Sequence, residues 1–217
     1  MMPDVLYRVR GRRHNEELRY SLRSLANVEH GEVWIVGQAP PWITGVQVIP
    51  GDMRRTKWHN LVADLHKACV VLTGRTLILM DDDFYVLGKG PIPMLYRGSL
   101  REHIEATAGS YQRTLQNTAD YLKQWGVHRP LSYELHVPMV IDADQMAEIL
   151  APVVGQALQA RTLYGNLVGP VGTVAMDVKA RRGKPLSTGR WLSSQGWFGA
   201  IADRLTTALP ERSAYEL

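Results

Sequence analysis

Three adjacent aspartates, Asp81-Asp82-Asp83, follow the run Thr76-Leu77-Ile78-Leu79-Met80 and precede Phe84-Tyr85-Val86-Leu87. Neighbouring carboxylates repel one another, and ordering them where a buried strand emerges is unfavourable unless a cation neutralises them. An Asp-x-Asp at a strand's carboxyl end suits a hard divalent ion that keeps water ligands and takes further oxygens from a bound phosphate. A solvated acidic turn is the alternative, but such a turn more usually carries Gly or Pro than hydrophobic flanks. Asp83 is the first candidate for a direct metal ligand. Asp81 is the second, or makes a ribose or water-mediated contact, and Asp82 is mainly structural beside them. Arg8 and Arg10 leave one face of an early strand and could reach a base or a phosphate, with surface salt bridges as the competing role. Lys57 and Asn60, at the start of a helix, join Arg8, Arg10, Asp81 and Asp82 as donor-binding candidates. His136 lies in Glu134-Leu135-His136-Val137-Pro138 and is a candidate metal ligand or acceptor contact. On a strand Glu134 and His136 would share a face, and either could serve as general base toward an acceptor hydroxyl. These are the parts of a metal-assisted diphosphate site, in which the ion stabilises charge on a departing nucleoside diphosphate.

The elements that must position these groups are legible from periodicity. Residues 4–10 read as a first strand, with Val5, Tyr7 and Val9 on one face and Leu6, Arg8 and Arg10 on the other. Asn15 caps a helix whose first turn carries Glu16 and Glu17, both favourable at the positive end of the helix dipole, and whose buried stripe is Leu18, Leu22 and Leu25. Residues 32–37 and 46–49 read as the next two strands. An amphipathic helix follows over 57–71, with Trp58, Leu61, Val62, Leu65, Ala68 and Cys69 in the helical period. The Asp-bearing strand is then the fourth, and β-α-β-β-α-β with short loops predicts an α/β layered sheet, where ligands collect outside the carboxyl ends of the strands. A long helix is expected over 100–125, a strand over 133–141, and a helix through Leu150 capped by Asp142 or Asp144. Further helices are expected near 153–165 and 197–208, with a strand at 172–178.

At 217 residues the chain reads as one domain large enough for a core, 45% hydrophobic and 21% charged, as in soluble globular proteins. The residues to about 90 are expected to form a donor-binding half and 91–217 an acceptor-binding half. No stretch approaches the ~18 apolar residues of a membrane helix, and Met1-Met2-Pro3-Asp4 does not open a signal peptide. The single cysteine, Cys69, excludes an internal disulfide framework and a thiolate zinc cage. A cytoplasmic location is the expectation. The net charge is +4 with a pI near 9.3. It is grouped at Arg8, Arg10, Arg12 and Arg13, at Arg54, Arg55 and Lys57, and at Lys179, Arg181, Arg182 and Lys184. Such clusters suit a nucleotide or a nucleic-acid backbone, and solvated loops are the plain alternative. The segment Gly183-Lys184-Pro185-Leu186-Ser187-Thr188-Gly189 is a surface loop or a loop closing over phosphates. No P-loop, dinucleotide fingerprint or nucleophile elbow occurs.

The segment Asn15-Glu16-Glu17-Leu18-Arg19-Tyr20-Ser21-Leu22-Arg23-Ser24-Leu25 resembles the N-D/E-E-L-R-Y-S-L-R-S-L segment of Stealth-type sugar-phosphate transferases. The resemblance continues through Val33-Trp34-Ile35-Val36, the Pro41-Trp42 pair and the aspartate-ended strand. It extends weakly to His136-Val137-Pro138 and to Leu209-Pro210-Glu211-Arg212-Ser213-Ala214-Tyr215-Glu216, similar to that family's P-x-x-S-x-[FY]-E endings. The family's opening strand carries an aspartate where this chain has Leu6-Tyr7-Arg8-Val9-Arg10-Gly11, so the part carried over is the nucleotide-sugar scaffold. The wider set with this pattern is the GT-A glycosyltransferases, including small stand-alone viral members. That resemblance implies a GT-A-like, Rossmann-like mixed sheet flanked by helices, a nucleoside-diphosphate sugar such as a UDP-sugar as donor, and Mn2+ or Mg2+ at the Asp-x-Asp.

The resulting expectation is a metal-dependent glycosyltransferase acting on a hydroxyl acceptor, with a hydroxymethylated base in viral DNA favoured by the basic clusters. In that case the host cytoplasm is the setting. A protein or glycan acceptor, a Stealth-like sugar-1-phosphate transferase, and a basic nucleic-acid-binding module with a structural Asp triplet are the alternatives.

Overall fold

The computed structural model describes residues 2–11, 13–52, 56–169, 172–181, 183 and 186–217. The chain order is β1 (Asp4–Val9), α1 (Glu16–Ser24), β2 (Val33–Gly37), β3 (Gln47–Pro50), α2 (Lys57–Val71), β4 (Thr76–Asp81), β5 (Phe84–Val86), β6 (Leu95–Tyr96), β7 (Gly98–Ser99), α3 (Leu100–Glu105), α4 (Gly109–Gln124), β8 (Leu131–Ser132), β9 (Met139–Asp142), α5 (Ala143–Leu150), α6 (Ala160–Leu167), β10 (Thr173–Val174), β11 (Trp191–Ser193) and α7 (Phe198–Ala208).

The central sheet has the order β3-β2-β1-β4-β9. Its first four strands are parallel, and β9 runs antiparallel to β4. Alternate side chains leave opposite faces of each strand. Leu6, Val36, Leu77, Leu79, Met139 and Ile141 pack with α2, α4, α5 and α6. Val5, Tyr7, Val9, Val33, Ile35, Ile78 and Met80 pack with α1 and β5 on the other side. The fold is thus mixed α/β, a mainly parallel sheet between helices, compatible with a Rossmann-like arrangement. From β1 the chain steps outward to β2 and β3, then returns through α2 to β4 on the far side of β1. The strand order reverses there, and the crevice above the carboxyl ends of β1 and β4 is the topological switch point. Among the described residues no helix is long and apolar enough to cross a membrane. Cys69 is buried on α2, and burial pushes its thiol up to about 12, far from a reactive thiolate.

Several expected elements are corrected. The first strand stops at Val9. The helix over 100–125 is two, because Thr107 Oγ1 bonds back to the carbonyls of His103 and Ile104 at 2.9 and 3.1 Å, and Gly109 turns the chain at φ +71. The strand over 133–141 shrinks to Met139–Asp142. Tyr133 and His136 donate their amides to Thr162 Oγ1 and Asp177 Oδ1 instead of to a neighbouring strand, and Pro138 has no amide to give. Glu134 and His136 therefore do not share a strand face. The helix over 153–165 begins only at Ala160, and the strand over 172–178 is the two-residue β10, paired with β6.

The chain's last turn is tied to α1. Glu216, with its side chain 0% exposed, receives Arg19 Nη1 at 3.0 Å and Arg23 Nε and Nη2 at 2.8 and 2.9 Å, and also the amide and hydroxyl of Ser213. Burial raises its carboxyl, but Arg23, the Ser213 amide and Arg19 outweigh that and hold it at about 2 against an ordinary 4.5. A depressed folded-state value contributes stability above the unfolded value, and that stability is lost as pH falls through the folded one. Denaturant titrations should therefore show wild type losing stability between pH 4.5 and 2. Glu216→Ala should lose about 3 kcal/mol at pH 7 and show a flatter acid limb.

Candidate active site

Asp81 is the last residue of β4 and stands opposite Arg8 of β1 in the parallel register. The Arg8 Nη2 donates to both carboxylate oxygens at 2.6 and 2.9 Å. The two groups expected to bind a donor are thus joined to each other across the switch point. Asp82 points the opposite way, to the N-terminus of α1, where Asn15 Nδ2 donates to its Oδ2 at 2.9 Å. The same Asn15 accepts the Leu18 amide at 3.2 Å as helix cap, with its backbone at φ 22, a region asparagine tolerates better than most. Further along α1, Ser21 donates to the Phe84 carbonyl at 2.5 Å. Helix α1 therefore buttresses the aspartate turn.

Asp83 is held from the other side by β11, which runs antiparallel to β5 with Ser193 opposite Phe84. Ser193 Oγ and the Gln195 amide both donate to Asp83 Oδ2 at 3.1 Å. Among the described residues all of its side-chain hydrogen bonds fall on Oδ2, which leaves Oδ1 for a ligand. Burial first, then the charges of Asp81 and Asp82, raise the Asp83 carboxyl to about 6 against the opposing pull of His136 and Ser193.

His136 lies at a bend, its ring edge-on to Phe84 with centroids 5.9 Å apart. Its Nδ1 is 2.9 and 3.1 Å from the two oxygens of Asp177, which also accepts the His136 amide at 3.2 Å. Arg97 stands 3.9 Å from Asp177. Lys179 is half-buried, with its ammonium pulled down by burial and supported by Asp177 and Asp83. Asp83 is thus within electrostatic reach of both His136 and Lys179, and a cavity of about 420 Å³ lined by Arg13, His14, Asn15, Glu16, Glu17, Gly196 and Phe198 lies at the N-terminus of α1.

Other candidates fall elsewhere. Glu134 Oε1 accepts the amide and the hydroxyl of Thr162 at 3.1 and 3.0 Å. It caps the first turn of α6, whose own Gln159 makes no side-chain cap. We therefore expect Glu134→Gln to lose about 1 kcal/mol of stability while turnover stays within about threefold, since a retained amide oxygen still caps; an assay of kcat beside a melt checks this. Lys57 is exposed at the start of α2, its Nζ 4.9 Å over the Trp58 ring, and Asn60 is buried one turn on. Both lie on the helix that follows β3, whose Asp64 is within electrostatic reach of Arg8. Arg10 is exposed just past β1. Arg12, Arg54, Arg55, Arg182, Lys184 and Pro185, and with them parts of all three basic clusters and of the 183–189 loop, lie outside the described residues.

Sequence reasoning missed Asp177, Ser193 and Gln195, which are far from the Asp triplet in the chain, and it read Asn15 only as a cap. It also missed α6. There Arg161 donates to the Val137 carbonyl at 2.7 Å, Thr162 to Glu134, and Asn166 to the Leu131 carbonyl at 2.8 Å, so one helix shapes the loop that carries His136.

In comparisons with known proteins, no family model matches this chain and no curated protein matches it. Among the described residues no group of three His, Cys, Asp or Glu side chains is arranged to hold a metal ion. A Mg2+- or Mn2+-type site needs only one or two carboxylates, with phosphate and water oxygens completing it. Asp83 Oδ1, beside the carboxylates of Asp81 and Asp82, fits that donor chemistry.

Proposed function

We propose that this chain is a metal-dependent glycosyltransferase of GT-A type, moving a sugar from a nucleoside-diphosphate sugar to a hydroxyl acceptor. One observation carries the reading. An aspartate turn with an open carboxylate oxygen stands at the switch point of a mainly parallel sheet. Asp83 would hold Mn2+ or Mg2+, with Asp81 and Asp82 as the surrounding charge. When bound, the ion supplies positive charge to the diphosphate as it departs. Arg8 fixes Asp81, Asn15 fixes Asp82, and Ser193 with Gln195 fixes Asp83, so the turn is oriented before substrate arrives, which lowers the reorganisation needed in the transition state. Lys179, close to Asp83 and Asp177, adds a cation where phosphate charge develops. The acceptor lies on the His136 side of the crevice.

Product identity tests the reaction. Incubation with a panel of sugar nucleotides and Mn2+ should release a nucleoside diphosphate; release of a nucleoside monophosphate would instead indicate transfer of a sugar phosphate. The first acceptor to try is hydroxymethylated DNA, since Lys57, Lys179 and Arg181 belong to the basic clusters. Turnover on DNA should fall steeply between 50 and 200 mM salt, and a flat salt response with a glycan or protein acceptor would exclude DNA. If the chain were only a basic binding module, Asp83→Ala would leave its nucleic-acid affinity as its sole, unaltered property.

A further inference from the structure

Asp177 is absent from the candidates read from the sequence and stands half-buried beside His136, its side chain 9% exposed, with no structural element of its own to cap. It accepts two hydrogen bonds from one residue, the amide and the Nδ1 of His136, at 3.2 and 2.9 Å, and Arg97 stands behind it at 3.9 Å. Burial works to raise its carboxyl, yet His136 and Arg97 together hold it at about 2, so it is ionised throughout the neutral range. An ionised carboxylate only accepts. The hydrogen on the neutral His136 ring is therefore on Nδ1, and Nε2 carries the lone pair. The His136 side chain remains 22% exposed, and with Nδ1 engaged the polar edge open to the crevice is Nε2. Glu134, the other candidate base, is occupied at the N-terminus of α6.

We propose that His136 Nε2 is the base that takes the acceptor's proton and that Asp177 is the positioning residue that sets its tautomer and orientation. The inference rests on the glycosyltransferase reading of the same crevice. In the step, the acceptor oxygen forms its bond to the anomeric carbon while its proton passes to Nε2. The bond from that carbon to the diphosphate oxygen breaks, and its electron pair leaves with the nucleoside diphosphate. A single displacement of this kind inverts the anomeric carbon.

The test uses the full chain with donor, acceptor and saturating Mn2+. His136→Gln should lower kcat about 10²- to 10⁴-fold. Asp177→Asn should lower it about 10- to 100-fold, because the amide can donate to Nδ1 and so favours the wrong tautomer; Asp177→Glu should recover part of the loss. Donor KM and Mn2+ affinity should stay within twofold in all three, and the product should have inverted configuration by NMR coupling constants. Wild-type kcat in Asp177→Asn, a weakened Mn2+ affinity in His136→Gln that added Mn2+ overcomes, or retained configuration would each overturn the assignment. Nitrogen-15 shifts of the wild-type ring need no variant to fold. They should show protonated Nδ1 and bare Nε2, and the opposite tautomer would overturn the role of Asp177. A wild-type chain inactive on every sugar nucleotide overturns the transferase reading and this inference with it. An active wild type with any of the contrary results overturns only the inference.

Discussion

Asp83→Asn should abolish sugar transfer, about a thousandfold in kcat, while making the metal-free protein more stable. The two effects have one cause. At neutral pH the folded chain holds Asp83 as an anion among Asp81 and Asp82 in a partly desolvated turn, which is why its carboxyl is raised to about 6 from an ordinary 3.8. A raised carboxyl opposes folding above that value and is neutral below the unfolded one. Asparagine keeps the volume and an acceptor for Ser193 Oγ and the Gln195 amide but removes the charge. After discounting for the turn's partial exposure, a gain of about 1–2 kcal/mol follows. The gap should be present at pH 7 and close as pH falls from 6 to 4, measured by denaturant titration with chelator present. Adding Mn2+ should stabilise wild type and leave Asp83→Asn unmoved. An inactive variant that is also less stable would indicate that Asp83 is a structural residue.

Gly165→Ala should be strongly destabilising although the position lies in a helix. In a helix interior alanine is favoured over glycine by about 1 kcal/mol, so propensity alone predicts stabilisation. Here a Cβ would sit 2.5 Å from the Tyr133 ring, which is buried in the main core. Neither the ring nor α6 can yield without disturbing the loop from Tyr133 to Val137. We expect a loss of about 2–4 kcal/mol and, because that loop carries His136, a fall in kcat of at least tenfold with donor KM little changed. Thermal melts and steady-state kinetics measure both. A stabilised, fully active Gly165→Ala would mean that the loop is not held as described.

The parts legible in the sequence are those governed by local periodicity. The stripe Leu18, Leu22, Leu25 and the acidic first turn behind Asn15 announce α1. The apolar run into the Asp triplet announces β4, and α2 occupies the expected 57–71. Failures begin where side chains take over the backbone's hydrogen bonds. Residues 133–138 alternate like a strand, but Thr162 and Asp177 receive their amides, and no pattern within the segment encodes those partners. Gly165 looks like a weak point in a helix until Tyr133 is placed against it. The candidate site was half visible for the same reason. The Asp turn is local, whereas Ser193 reaches Asp83 across 110 residues and Asp177 reaches His136 across 41. Such contacts follow from topology, namely β11 pairing with β5 and β10 with β6, and short irregular strands carry little periodic signal.

The most direct test of the central claim is nucleotide release by wild type and Asp83→Asn, each with Mn2+ and with chelator, across a panel of sugar nucleotides. The account predicts that wild type with Mn2+ releases a nucleoside diphosphate from at least one donor, and that chelation or the substitution abolishes that release. Turnover that continues undiminished in Asp83→Asn with metal removed would contradict it.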